Sequence, residues 1–137
     1  MQWQDPFART APYALSLLRF IVGLLFFEHG LSKLFGFPPG NLHPAAFQLM
    51  WFAGIIETVG GLLIALGLFT RAAAFITSGE MAIGYFLVHA PKSGFPEANG
   101  GDAAILYCFV FFFLFVAGGG MVSLDRLLEP GNRHRAT

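Results

Sequence analysis

The stretch AAFQLMWFAGIIETVGGLLIALGLF, Ala45 to Phe69, decides the fold, because Glu57 is the one charged residue in it. About 20 apolar residues in helical form cross a hydrocarbon core of about 30 Å. Backbone polar groups find no water in lipid, so such a run has to bond within itself as a helix. Three similar runs lie on either side: Pro12 to Phe35 before it, Ala72 to Ala90 and Asp102 to Val122 after it. Only Thr70 and Arg71 separate the second run from the third, which predicts a tight hairpin. The other two connections, FGFPPGNLHP (Phe35 to Pro44) and APKSGFPEANGG (Ala90 to Gly101), are rich in the Pro, Gly and Asn that break helices. The pattern predicts an all-α integral membrane protein, a four-helix transmembrane bundle forming a single domain over 1–137. A polar cytoplasmic tail, 123–137, would follow the last helix.

The composition points the same way. Charged residues make up 12% of the 137 and hydrophobic residues 55%, whereas a soluble domain carries about a quarter charged. A soluble helical protein with these runs in its core would have almost nothing left to make a wet surface. Zero formal net charge gives no field to attract nucleic acid. Cys108, the lone cysteine, excludes an internal disulfide or dithiol. It reads as a small buried residue, since no His or Asp is near it in sequence. A cleavable signal peptide is not expected, because Met1 to Thr10 is polar and the first apolar run is too long.

Cationic residues orient the spans. Arg9, Arg71, Arg126, Arg133 and Arg135 fall on one side, Lys33 and Lys92 on the other. Both termini are therefore expected in the cytoplasm of a multi-pass inner-membrane protein.

Ionisable residues at membrane depth are costly and mark function. At a rise of 1.5 Å per residue, Arg19, Glu57 and Glu80 fall at comparable depths. Each shares its helical stripe with small residues: Arg19 with Gly23 and Gly30, Glu57 with Gly54 and Gly61, Glu80 with Thr77 and Gly84. Small residues mark close helix packing in membranes. An inner Arg19–Glu57–Glu80 cluster is expected, holding a ligand or a proton; the alternative is that it only fixes helix register. An outer layer gathers Glu28, His29, Ser32, Lys33, His89, Asn99 and Asp102. Snorkelling to the interface would account for Lys33 and Lys92. The candidate ligand-binding residues are thus Arg19, His29, Lys33, Glu57, Glu80, His89 and Asn99. His29 and His89 at similar depth leave a b-type haem as a minor alternative. Glu28 with the two histidines leaves a metal, but ring directions do not follow from sequence, and no metal site is assigned. Gly118–Gly119–Gly120 lacks the Lys and preceding strand of a phosphate loop and reads as a helix terminator. The Phe run of the fourth span reads as lipid-facing surface.

The ordered set LLRFIVGLLFFEHGLSKLFGF (Leu17 to Phe37), GIIETVGGLLIALGLFTR (Gly54 to Arg71), FLVHAPKSGF (Phe86 to Phe95), NGGDAAILY (Asn99 to Tyr107) and SLD (Ser123 to Asp125) resembles the DoxX family of membrane proteins. The resemblance spans nearly the whole chain. It implies a four-helix membrane bundle and a link to redox or oxidative-stress processes, since the family includes relatives of a thiosulfate:quinone oxidoreductase subunit. Members have also been linked to complexes with superoxide dismutase and a sulfurtransferase, and to quinone-related resistance. The matching positions are Arg19, His29, Gly30, Lys33, Glu57, Arg71, Asn99, Gly100 and Gly101; the roles of Glu28 and Glu80 rest on the residue argument and not on the resemblance. Some relatives use paired cysteines, which this chain lacks. Taken with the intramembrane ionisable residues, the resemblance leads to the expectation of a membrane subunit that binds a quinone-like or other lipid-soluble molecule, its polar head held by His29, Lys33 or the Arg19–Glu57–Glu80 cluster. The alternatives are a small proton-coupled transporter or lipid-handling protein, and a scaffold holding soluble redox enzymes through Arg71 and the basic tail. Beyond the lipid bilayer, such enzymes and a second copy of the chain are the expected partners.

Overall fold

The structure, a computed structural model, describes residues 5–40 and 43–132. Arg133 and Arg135, counted above on the basic side, lie outside the described residues. Every regular element among the described residues is helical. The first helix, α1, runs Ala11–Phe35, with a proline in its first turn where the missing N–H costs nothing. It stops at Gly36, whose left-handed backbone lets its N–H cap the Ser32 carbonyl. Helix α2 runs Leu49–Leu66 and stops at left-handed Gly67. It begins at Leu49 rather than Ala45 because Ala45 to Gln48 form a turn, closed by the Gln48 N–H on the Ala45 carbonyl. Helix α3, Thr70–Gly84, starts immediately after, so Thr70 and Arg71 belong to its first turn rather than to the connection. It continues into a π-helical turn, Tyr85–His89. A short α4, Pro96–Asn99, crosses the second loop. Helix α5, Asp102–Ala117, ends at Gly118 and not at Val122. Helix α6, Leu124–Leu128, is capped by the Ser123 hydroxyl.

Helix α1 packs along α2, α3 packs along α5, and α2 joins the two pairs through α3. The α1–α2 seam is close because glycines face it. A Cβ on Gly23 would lie 2.4 Å from the Ala65 nitrogen, and one on Gly61 2.4 Å from the Phe27 nitrogen. Where lipid supplies no hydrophobic drive between helices, contacts of this closeness supply dispersion energy instead.

The buried apolar core is small, formed by Phe26, Ile64, Ala73, Ala74, Phe111 and Leu114. Most large apolar side chains point outward, among them Leu17, Phe20 and Leu24 on α1 and Phe109, Phe112 and Phe113 on α5. A water-soluble monomer rarely exposes apolar surface so continuously. By length and composition, α1 and α2 can each cross a membrane, with only 28% and 33% of their most apolar windows buried. A soluble core helix of that composition would be mostly covered. The 16-residue α5 is apolar but shorter.

The segment after α5 clasps the opposite end of the molecule from Phe35. Met121 N–H donates to the Pro12 carbonyl, Val122 N–H to Ser16 Oγ, and Asp125 N–H to the Gly67 carbonyl. The Asp125 carboxylate accepts from the N–H groups of Phe69 (2.7 Å) and Thr70 (2.9 Å). It thereby serves as the anion that the start of α3 favours. This is the structural use of the SLD ending.

Candidate functional site

The site grows from one ion pair. Lys33 Nζ, near the end of α1, lies 2.6 Å from Glu57 Oε1 on α2, and their side chains are 12% and 3% exposed. This overturns the snorkelling expected of Lys33: the ammonium turns inward, because a carboxylate with little water around it attracts it more strongly than the interface does. Lys92 is exposed, as snorkelling expects. Among the described residues, Glu57 Oε2 has no hydrogen-bond partner, and neither oxygen of Glu80 on α3 has one, although all three are enclosed. Glu80 lies in the field of both Glu57 and Lys33, and Glu57 also feels His29.

His29, one turn before Lys33, places Nδ1 2.9 Å from the Leu25 carbonyl. A carbonyl only accepts, so Nδ1 carries the hydrogen and the neutral ring keeps Nε2 as an acceptor. The ring meets Tyr107 of α5 edge-on, at 5.9 Å between centroids. Tyr107 stacks on Phe111 at 5.6 Å, packs against Phe26 at 5.4 Å, and lies in the field of Glu28 and Glu57. Four helices thus contribute: α1 gives His29 and Lys33, α2 gives Glu57, α3 gives Glu80 and α5 gives Tyr107. Beside them opens a cavity of about 310 Å³ lined by Glu28, His29, Ser32, Lys33 and the Pro38–Gly40 turn. Tyr107 is absent from the sequence-derived candidates. Its signal was available, as the one ring with a polar handle inside the Phe-rich span.

Arg19 does not join the two carboxylates. Its Nη1 donates to the carbonyls of Ile64 (2.9 Å) and Ala65 (3.0 Å), and its Nη2 to that of Val122 (2.5 Å). Ile64 is two turns beyond Glu57, about 10 Å along α2. Arg19 therefore adds a donor to the last carbonyls of α2, of which that of Ile64 also accepts the Gly67 N–H (3.1 Å), and ties them to the clasp. The expected Arg19–Glu57–Glu80 cluster is corrected to Lys33–Glu57–Glu80.

His89 and Asn99 form a separate lock in the outer loop. Asn99 is 3% exposed. It donates from Nδ2 to Tyr85 Oη (3.2 Å) and the Ser93 carbonyl (3.0 Å), and accepts from the Gly101 N–H (2.8 Å). His89 Nδ1 lies 3.0 Å from the Asn99 carbonyl, and its ring stacks on Tyr85. Asn99 commits both ends of its amide to the loop, so its observed role is to shape that loop. Asp102 is exposed at the start of α5. The Glu28–His29–His89 set is not assembled: among the described residues, no three His, Cys, Asp or Glu side chains are grouped to hold a metal ion.

The DoxX family model matches residues 14–90, which hold α1 to α3 and with them Lys33, Glu57 and Glu80. The chain belongs to the DoxX family. An uncharacterised protein of Haemophilus influenzae is 43% identical over 83% of this chain and 90% of its own length. A protein of Mycobacterium tuberculosis, described as an uncharacterised membrane protein, is 32% identical over 93% of this chain and 88% of its own. A Bacillus subtilis protein described as "Putative oxidoreductase CatD" is 29% identical over 86% of this chain and 89% of its own. No solved structure matches. Family and relatives agree with the outward-facing apolar side chains that this DoxX protein is a membrane protein.

Proposed function

We propose that the protein crosses the inner membrane four times, through α1, α2, α3 with its π turn, and α5, with both termini in the cytoplasm. In this reading it binds a lipid-soluble small molecule of the quinone class at His29, Lys33 and Tyr107, as the membrane subunit of a redox assembly. The observation that carries the reading is the set of three enclosed carboxylate oxygens without a partner, facing one ammonium. Burying such oxygens unpaired is costly. Their enclosure excludes a ligand atom but not a proton, so Glu57 and Glu80 serve as a proton store behind the more open His29 and Tyr107. The polar head of a quinone suits the front of this site. Its carbonyls accept from Lys33 Nζ or the Tyr107 hydroxyl, its reduced form donates to His29 Nε2, and Tyr107 offers a stacking face.

Entry from the bilayer is favoured by the α1–α5 seam, where the rings of Phe26, His29, Tyr107 and Phe111 meet without the close backbone packing of α1 on α2. The description of the Bacillus subtilis relative supports the redox assignment. Soluble redox enzymes and a second copy of the chain are the partners this role calls for.

The test is extraction in mild detergent, mass spectrometry of co-purifying quinones, and equilibrium dialysis with a short-chain quinone. The native protein retains quinone, and Lys33→Met and Tyr107→Phe each weaken binding about tenfold, the value of one good hydrogen bond. Recovery of no quinone together with no uptake of the added one ends this reading. The enclosed Glu57–Glu80 pair also favours a second reading, proton-coupled transport, which requires liposome flux that disappears in Glu57→Gln.

A further inference from the structure

The far end of the molecule holds a second and larger cavity, of about 850 Å³, between the start of α1, the first turn of α3 and the glycine segment that leaves α5. Three kinds of donor in its lining, from Arg71, Thr70 and the glycine segment, have no acceptor among the described residues. Arg71 uses Nη1 on the carbonyls of Phe115 (2.8 Å) and Val116 (2.5 Å), which anchors the guanidinium while leaving Nε and Nη2 without acceptors among the described residues. Thr70 is wholly buried and its Oγ1 has no partner. A Cβ on Gly119 would stand 3.0 Å from that hydroxyl, so the hydroxyl faces the glycine segment. The N–H groups of Gly119 and Gly120 donate to no acceptor among the described residues. Gly118 and Gly120 hold left-handed backbones (φ 85° and 80°), which keeps side chains out of this wall. Arg126, whose Nη1 donates to Met121 Sδ, adds a second positive charge to the lining. Of the two acidic side chains in the lining, Asp125 is already committed, with both oxygens on the N–H groups of Phe69 and Thr70, and Glu129 is exposed. Leu15 and Phe113 supply apolar wall.

We propose that this cavity binds a phosphate group, with Arg71 and Arg126 compensating its charge and Thr70 and the glycine N–H groups as candidate donors to its oxygens. The apolar wall beside the arginines matches an anionic phospholipid, whose headgroup would sit at the cavity mouth and whose acyl chains would run along α1 and α5. Basic pockets between spanning helices recognise such headgroups. The proposal is independent of the quinone site, which lies at the other end of α1.

Native mass spectrometry of delipidated protein in detergent tests it, with titrations of phosphatidylglycerol, of zwitterionic phosphatidylcholine, and of inorganic phosphate as competitor. One phosphatidylglycerol is expected to bind in preference to phosphatidylcholine. The preference should fall about fivefold in Arg71→Gln and again in Arg126→Gln, since a basic side chain at the surface is worth about that factor. Displacement of the lipid by millimolar phosphate supports the phosphate site and makes free phosphate an equal occupant; no displacement assigns it to the lipid. Arg71 also staples the end of α5, so where Arg71→Gln fails to fold, Arg126→Gln and Thr70→Val carry the comparison. Equal retention of the two lipids by the native protein without a phosphate effect overturns the proposal. So does a preference untouched in every folded variant.

Discussion

At the scale of single residues, the Lys33–Glu57 pair governs what the site can do. Both groups are largely removed from water, and at that depth losing one partner strands the other charge. Breaking a buried pair from one side costs about 3–5 kcal/mol, whereas replacing both partners costs far less. Lys33→Met alone is therefore expected to lower the unfolding midpoint in detergent strongly. The double variant Lys33→Met/Glu57→Gln should recover much of the loss. A thermal-unfolding cycle measures the coupling, and additivity of the two single effects to within about 0.5 kcal/mol would show that the pair is not coupled. This pairing was only half legible in the sequence. The stripe rule put Glu57 on a packing face, since Gly54 and Gly61 share its side of α2 and all three are buried. Its partner was misread because stripe and depth are properties of Cα positions, whereas Arg and Lys carry their charge on long stems. Lys33 reaches inward from a boundary position, and Arg19 spends its guanidinium on the carbonyls of Ile64, Ala65 and Val122.

At the scale of elements, glycines set how closely the helices approach and where they stop. A Cβ on Gly61 would meet the Phe27 backbone at 2.4 Å, and backbone cannot swing aside. Gly79, on the exposed side of α3, has nothing within 4 Å. The same chemical change should therefore act with opposite sign at the two places. Gly61→Ala forces α1 off α2 and is expected to destabilise by about 2 kcal/mol. Gly79→Ala gains helix propensity worth up to about 1 kcal/mol. Unfolding midpoints of the two variants in one detergent check this; equal shifts would remove the claim that glycine closeness holds α1 to α2. The helices themselves were plain from the apolar runs, but their ends were not. Hydropathy continues through Leu68 and Phe69 and through Met121 and Val122, yet α2 and α5 stop earlier, at Gly67 and Gly118. Left-handed glycine geometry ends those helices, and the apolar residues beyond it serve the α2–α3 turn and the clasp.

At the scale of the whole molecule, the proposed topology makes the two ends of the structure chemically different compartments. Four crossings bring Arg9, the α2–α3 turn and α6 to one membrane face, and the Pro38–Gly40 turn and the Lys92 loop to the other. The proposal rests on the positions of the arginines in the sequence, with no need of any helix contact, because cationic loops resist translocation. What the sequence could not carry was the folding of the post-α5 segment back onto Pro12, Ser16 and Gly67, since two of those hydrogen bonds join backbone to backbone and the third ends on a serine hydroxyl that any helix could carry. The topology is open to direct measurement. In a Cys108→Ala background, Arg9→Cys and Lys92→Cys each offer one thiol, at positions exposed in the structure. A membrane-impermeant maleimide should label Lys92→Cys in right-side-out vesicles and Arg9→Cys only in inverted ones. An odd number of crossings between the termini leaves Arg9 and a cysteine at Glu129 on opposite faces, so Glu129→Cys is the deciding third position. Labelled together with Arg9→Cys in inverted vesicles, it supports four crossings. Labelled instead with Lys92→Cys, it means that the 16-residue α5 fails to return the chain across the bilayer. The phosphate cavity, built from both the α2–α3 turn and α6, would then need a fold other than this one.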